Sequence, residues 1–67
     1  MNSFAARLRE ARQDKNLTQL QLGKLLNVGQ VAVSAWELGR REPSIEMIKR
    51  IAELLGVDAN FLFGFDK

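Results

Sequence analysis

The chain has 67 residues, of which 46% are hydrophobic and 27% charged, which fits one small globular domain. It contains neither cysteine nor histidine, which excludes a disulfide framework, a thiolate nucleophile, a zinc finger and any triad or base built on imidazole. Net charge is only +2, but residues 1–41 carry seven Lys/Arg against three Asp/Glu, while residues 42–67 carry three against five. The basic first part is the one suited to face a polyanion.

No apolar run approaches the ~20 residues of a membrane span. The start, MNSFAARLRE, lacks the hydrophobic region of a signal peptide, so a cytoplasmic setting is expected. A chain this short buries only about 60% of its unfolded surface. A packed apolar core, with or without a partner subunit, must hold it, and the whole chain, 1–67, is expected to form a single domain.

The elements follow in chain order. Asn2 or Ser3 can accept hydrogen bonds at a helix N-cap, and Phe4, Leu8 and Ala11 then form one helical stripe. Asn16 tolerates the left-handed conformation that ends a helix. The second helix opens with Thr18 and Gln21 spaced as a capping box, carries Leu22 and Leu26 on one face, and stops at Asn27.

The third stretch, GQVAVSAWE at 29–37, is ambiguous. Val31, Val33 and Ala35 alternate like a strand, yet Val33 and Trp36 have helical spacing. A lone strand would leave its backbone groups unpaired, and nothing else pairs with it as a hairpin, so helix is the better reading. Val28, Val33 and Trp36 then point inward, leaving Gln30, Val31, Ser34 and Ala35 outside. Helical spacing makes Trp36 a core residue rather than a stacking platform.

After Gly39 and Pro43, Ser44 is placed as an N-cap and Glu46 favours the positive helix end. Ile45, Ile48, Ile51, Ala52 and Leu55 make a stripe closed by Gly56. A short fifth helix begins after Asp58 and carries Phe61 and Leu62. The expected architecture is therefore all-α, a compact five-helix bundle with a helix-turn-helix over about 18–38. Gly23 lies where the two helices of that pair approach most closely.

The run LTQLQLGKLLNVGQVAVSAWELGRREPS resembles the lambda-repressor-like family of helix-turn-helix regulators, also called the Cro or xenobiotic-response-element family. The similarity extends from LREAR in the first helix to LLGVDANFLFG near the end. It rests most on Thr18-Gln19, Leu22-Gly23, the Ser34-to-Gly39 run and Pro43-Ser44. The resemblance implies a DNA-binding transcription regulator of bacterial or phage type; a repressor is expected rather than an activator, because nothing in these residues supplies an effector or activation segment. Its partner would be double-stranded operator DNA, commonly palindromic and bound by a homodimer.

On that reading the helix at 30–37 enters the major groove. Gln30 suits bidentate contact with adenine, Ser34 can donate or accept, and Val31 and Ala35 can make only apolar contacts, for which the groove offers thymine methyl groups. Their alternative is solvated or tolerated surface. Thr18 and Gln19 at the start of the second helix, and Arg40 and Arg41 after the third, are the candidate phosphate contacts. Lys15, Lys24 and Arg9 would add long-range attraction only. Glu37 is out of place beside phosphates. The resemblance supplies its partner, Arg12, in an internal salt bridge, which makes both residues structural.

Several positions depart from the family pattern. Gly29 stands where Ser or Thr is usual, and Val31 and Ala35 stand where hydrogen-bonding side chains are common. Leu20 and Leu25 replace polar residues and suit either exposed, adhesive surface or contact with another protein. Phe63 and Phe65 exceed what so small an interior needs, so they either fold back or form a dimer contact. A protein-interaction module, such as an antitoxin or helical adaptor, is the competing function. An enzyme is not expected, because so short a chain leaves little room for a pocket, and no metal site or cofactor is expected.

Overall fold

The computed structural model describes residues 3–64. Five helices follow in order: α1 Ser3–Asp14, α2 Gln19–Leu25, α3 Gln30–Glu37, α4 Ile45–Leu55 and α5 Ala59–Phe63. Among the described residues there is no strand, so the alternation of Val31, Val33 and Ala35 is carried on a helix. These three residues do not share one face there. Val33 is fully buried, whereas Val31 is 82% exposed.

Local chemistry sets the boundaries. Thr18 and Gln21 form a reciprocal capping box, with Gln21 N–H donating to Thr18 Oγ1 at 3.0 Å and Thr18 N–H donating to Gln21 Oε1 at 2.8 Å. Ser44 and Asp58 cap α4 and α5 through the backbone N–H groups of Met47 and Asn60. Two residues were candidates for the cap of α1. Ser3 is its first helical residue rather than a flanking cap, and Asn2 lies outside the described residues.

Helices α1 to α4 share one way of stopping. Asn16, Asn27, Gly39 and Gly56 each have φ between 59° and 75°. After each, the next residue's N–H reaches back to a carbonyl five residues earlier: Leu17 to Arg12, Val28 to Gly23, Arg40 to Ala35 and Val57 to Ala52. This is the Schellman arrangement, which satisfies carbonyls that a bare helix end would leave orphaned. The turns are therefore tight, and each helix leaves at a fixed angle.

Those angles bring the apolar stripes together. Leu8, Leu22, Leu26, Val33, Ile51, Leu55 and Leu62 are the largest fully enclosed side chains, surrounded by Phe4, Ala11, Trp36, Ile48 and Ala52. Burial of each such side chain contributes on the order of 1.5–3 kcal/mol, the main force holding a chain with no covalent staple. Packing of α2 on α3 dominates, with α1 against α3 and α5, and α4 against α5. At Gly23 a Cβ would lie 3.0 Å from the Val28 carbonyl oxygen and 3.1 Å from the Gly29 backbone. The absent side chain is what lets the α2–α3 turn close.

Two arginines fasten the periphery. The Arg7 guanidinium lies 4.8 Å from the centre of the Phe61 ring and donates to the Phe61 carbonyl at 3.2 Å, tying α1 to α5. Arg50 donates to the Leu26 carbonyl at 3.4 Å, tying α4 to the end of α2. Ile45 departs from its expected place in the core. It is 64% exposed, because it sits at the edge of the stripe in the first, open turn of α4. Phe63 is half-buried and packs against the core, whereas Phe65 lies outside the described residues.

Candidate nucleic-acid interface

Helix α3 is held from behind and open in front. Behind, Val33 and Trp36 are buried in the core. In front, Gln30, Val31, Ser34 and Ala35 line a shallow open groove of about 270 Å³, with Leu38 and Arg40 completing its rim. Gln30 and Val31 are exposed, and Ser34 and Ala35 half-buried. The four residues assigned to the outer face thus lie together on one surface. Leu38 was not among them, although it follows Ser34 by four residues and so continues the same helical ridge. It is 57% exposed.

Gly29 caps α3 without a side-chain hydrogen bond. At the other end, the turn through Gly39 fixes the path of Arg40, whose N–H donates to Ala35 O at 3.0 Å. Arg40 therefore stands at the groove rim. Arg41 is exposed one residue on. Thr18 is exposed at the start of α2, with its hydroxyl oxygen occupied by the Gln21 N–H and its hydroxyl proton still to give.

Glu37 lies behind the groove, and its side chain is completely enclosed. Arg12 grips it with two hydrogen bonds, Nε to Oε2 at 2.6 Å and Nη2 to Oε1 at 3.0 Å, the bidentate geometry that suits guanidinium and carboxylate. The third Arg12 nitrogen, Nη1, donates to the Leu17 carbonyl at 2.8 Å, and the Arg12 side chain is only 12% exposed. Burial alone pushes the Glu37 carboxyl up. The hydrogen bonds from Arg12 and Gln19 and the charges of Arg12 and Arg9 outweigh it, holding Glu37 below its ordinary value.

Two further groups converge on this carboxylate. Gln19 Nε2 donates to Glu37 Oε1 at 3.1 Å. Its amide nitrogen is thus engaged inside the protein, which changes what the side chain can offer a phosphate. Arg9 Nε lies 3.5 Å from the same oxygen, while about half of the Arg9 side chain remains exposed. Long-range attraction alone does not describe Arg9: it is held against Glu37. The signal was present in the sequence, since Arg9 and Arg12 are three residues apart and share a face of α1. What the sequence did not supply is the rotation of α1 that turns that face to α3.

The fold and this surface define a compact helix-turn-helix domain. The comparisons agree. A family model described as helix-turn-helix matches residues 8–62, and the chain belongs to that family. It is 41% identical over 54 residues to the HTH-type transcriptional activator BcrR of Enterococcus faecalis, covering 81% of this chain and 26% of BcrR. It is 32% identical over 65 residues to the HTH-type transcriptional regulator ImmR of Bacillus subtilis, covering 97% of this chain and 51% of ImmR. Among solved structures, the P22 c2 repressor in complex with a synthetic operator superposes with a TM-score of 0.88 at 29% identity. That match covers 98% of this chain and all of the repressor chain. The chain thus spans about half or less of the length of these two curated relatives. No helix among the described residues is long and apolar enough to cross a membrane.

Proposed function

We propose that this chain is a single sequence-specific, double-stranded DNA-binding module of a transcription regulator, acting in the cytoplasm of a bacterium or on behalf of a phage. The observation that carries the reading is the uncovered outer face of α3, beside the start of α2 and flanked by Arg40 and Arg41. An exposed helix of this kind fits the major groove. Gln30, Val31, Ser34 and Ala35 meet base edges, and Thr18, Gln19, Arg40 and Arg41 meet the phosphates. With its amide nitrogen on Glu37, Gln19 serves the phosphate through the backbone at the helix start rather than through that nitrogen.

Repression by occupying an operator needs only this surface. A homodimer would place two α3 helices ~34 Å apart on a palindromic site, with Phe63 and Phe65 as the candidate dimer contact. The chemistry is binding, and the reading assigns no catalytic step.

Selection of bound duplexes from a random pool tests the proposal. A two-fold symmetric consensus with affinity falling steeply in salt is expected. Recovery of no consensus, with binding indifferent to salt, would reject it. A second reading, a protein-interaction module, is favoured by Leu20 and Leu25, which are exposed on α2. An apolar protein contact there would hardly respond to salt.

A further inference from the structure

Glu37 draws in more positive charge than one carboxylate needs. Three donors surround its Oε1 alone: Arg12 Nη2 at 3.0 Å, Gln19 Nε2 at 3.1 Å and Arg9 Nε at 3.5 Å. Arg12 already supplies a full counter-charge through two hydrogen bonds, and its side chain is nearly enclosed. The charge of Arg9 is therefore surplus, and it sits on a side chain that is 51% exposed. Arg9 makes no other ion pair or hydrogen bond among the described residues. A guanidinium carries five N–H donors in a flat fork. Nε is the Arg9 nitrogen nearest Glu37, so the terminal pair stands farther out with its hydrogens still to give. Gln19 opens α2 and Glu37 is the last residue of α3. Arg9 thus stands where α1 meets both members of the helix pair.

We infer that Arg9 is a direct phosphate ligand, with one edge anchored on Glu37 and its terminal nitrogens presented to a single phosphate of the duplex backbone. The inference rests on the proposed DNA-binding function and deepens it. Anchoring one edge reduces the side-chain freedom lost when the other binds. Lysine cannot take this part, because an ammonium is one compact point of charge and has no second edge. Attraction at a distance needs only a positive charge, whereas this role needs a guanidinium.

The test uses the full chain and the duplex obtained by selection from the random pool. Single phosphates of that duplex are replaced in turn by neutral methylphosphonates, and binding is measured for the parent, Arg9→Lys and Arg9→Ala. In the parent, each contacted phosphate is revealed by a loss of affinity when it is neutralised. In both variants one of those phosphates should fall silent while the others stay sensitive. Affinity for the unmodified duplex should drop about tenfold, as for a lost hydrogen bond between charged groups. In Arg9→Ala the slope of log affinity against log salt should also fall by about 1. Thermal melts should stay near that of the parent, because Arg12 keeps both of its bonds to Glu37. Parent affinity in Arg9→Lys, with the same set of sensitive phosphates, would overturn the assignment and leave DNA binding standing, since charge alone would then suffice. Weakening spread over every phosphate together with a lowered melt would make Arg9 structural and overturn it equally. Failure of the parent to bind any duplex would overturn both the assignment and the DNA-binding reading.

Discussion

At its C-terminal end α3 encloses a charged side chain, Glu37, and at its N-terminal end it leaves a branched apolar one, Val31, facing solvent. Each placement runs against the usual sorting of side chains, and the two have different causes. Glu37 is tolerated inside because Arg12 and Gln19 saturate its oxygens and Arg9 adds a second positive charge. Val31 lies outside because no other element packs over that face of α3, the face proposed above to meet DNA. One end of the helix is fixed so that the other can be presented. A buried charge and an exposed apolar residue thus lie six positions apart on one helix.

The largest expected effect comes from disrupting the fixed end. Glu37→Ala leaves the Arg12 guanidinium enclosed without its counter-charge and should cost about 3–5 kcal/mol in urea denaturation. Unchanged stability would mean that the pair contributes nothing. The same group sets an acid limit. The carboxyl of Glu37 titrates below its ordinary value of 4.5 in the folded chain. Its contribution is therefore complete above about pH 4.5 and is lost as pH falls through the lower folded value. The acid decline of stability should be shallower in Glu37→Gln than in the parent.

Next in size is the hinge between the two ends of the helix pair. Gly23→Val places side-chain carbons where a single Cβ already comes within 3.0 Å of backbone, and a loss of about 2–3 kcal/mol is expected. A thermal melt checks it. Arg41→Ala removes only an exposed charge of the proposed DNA-facing surface. It should leave the melt unchanged and reduce the slope of log affinity against log salt by about 1. The smallest effect is a gain. A Cβ at Gly29 would meet nothing closer than 3.9 Å, so Gly29→Ser can cap α3 and should add a few tenths of a kcal/mol.

The same contrast separates what was legible in the sequence from what was not. Features set by near neighbours could be read directly: the Thr18–Gln21 box, the Ser44 and Asp58 caps, the stops at Asn16, Asn27 and Gly56, and the helical stripes. The pairing of Arg12 with Glu37 spans 25 positions, and only the family resemblance suggested it. The convergence of Arg9 and Gln19 on that carboxylate was missed, because it depends on how α1 and α2 rotate against α3. Leu38 was not placed on the outer face of α3 because that face was followed only as far as the last helical residue, although the ridge runs one residue further and Leu38 lines the same groove. Ile45 was placed inside because helical spacing alone does not say where a helix ceases to have a neighbour.

The most direct test of the central claim is an amide-resolved NMR titration of the chain with its selected duplex. Shifts and broadening should concentrate at residues 30–35, with further changes at 18–19 and 40–41, while Val33 and Trp36 keep their core environment. Perturbation confined to Leu20, Leu25 and the α5 end, with residues 30–35 unmoved, would contradict the account.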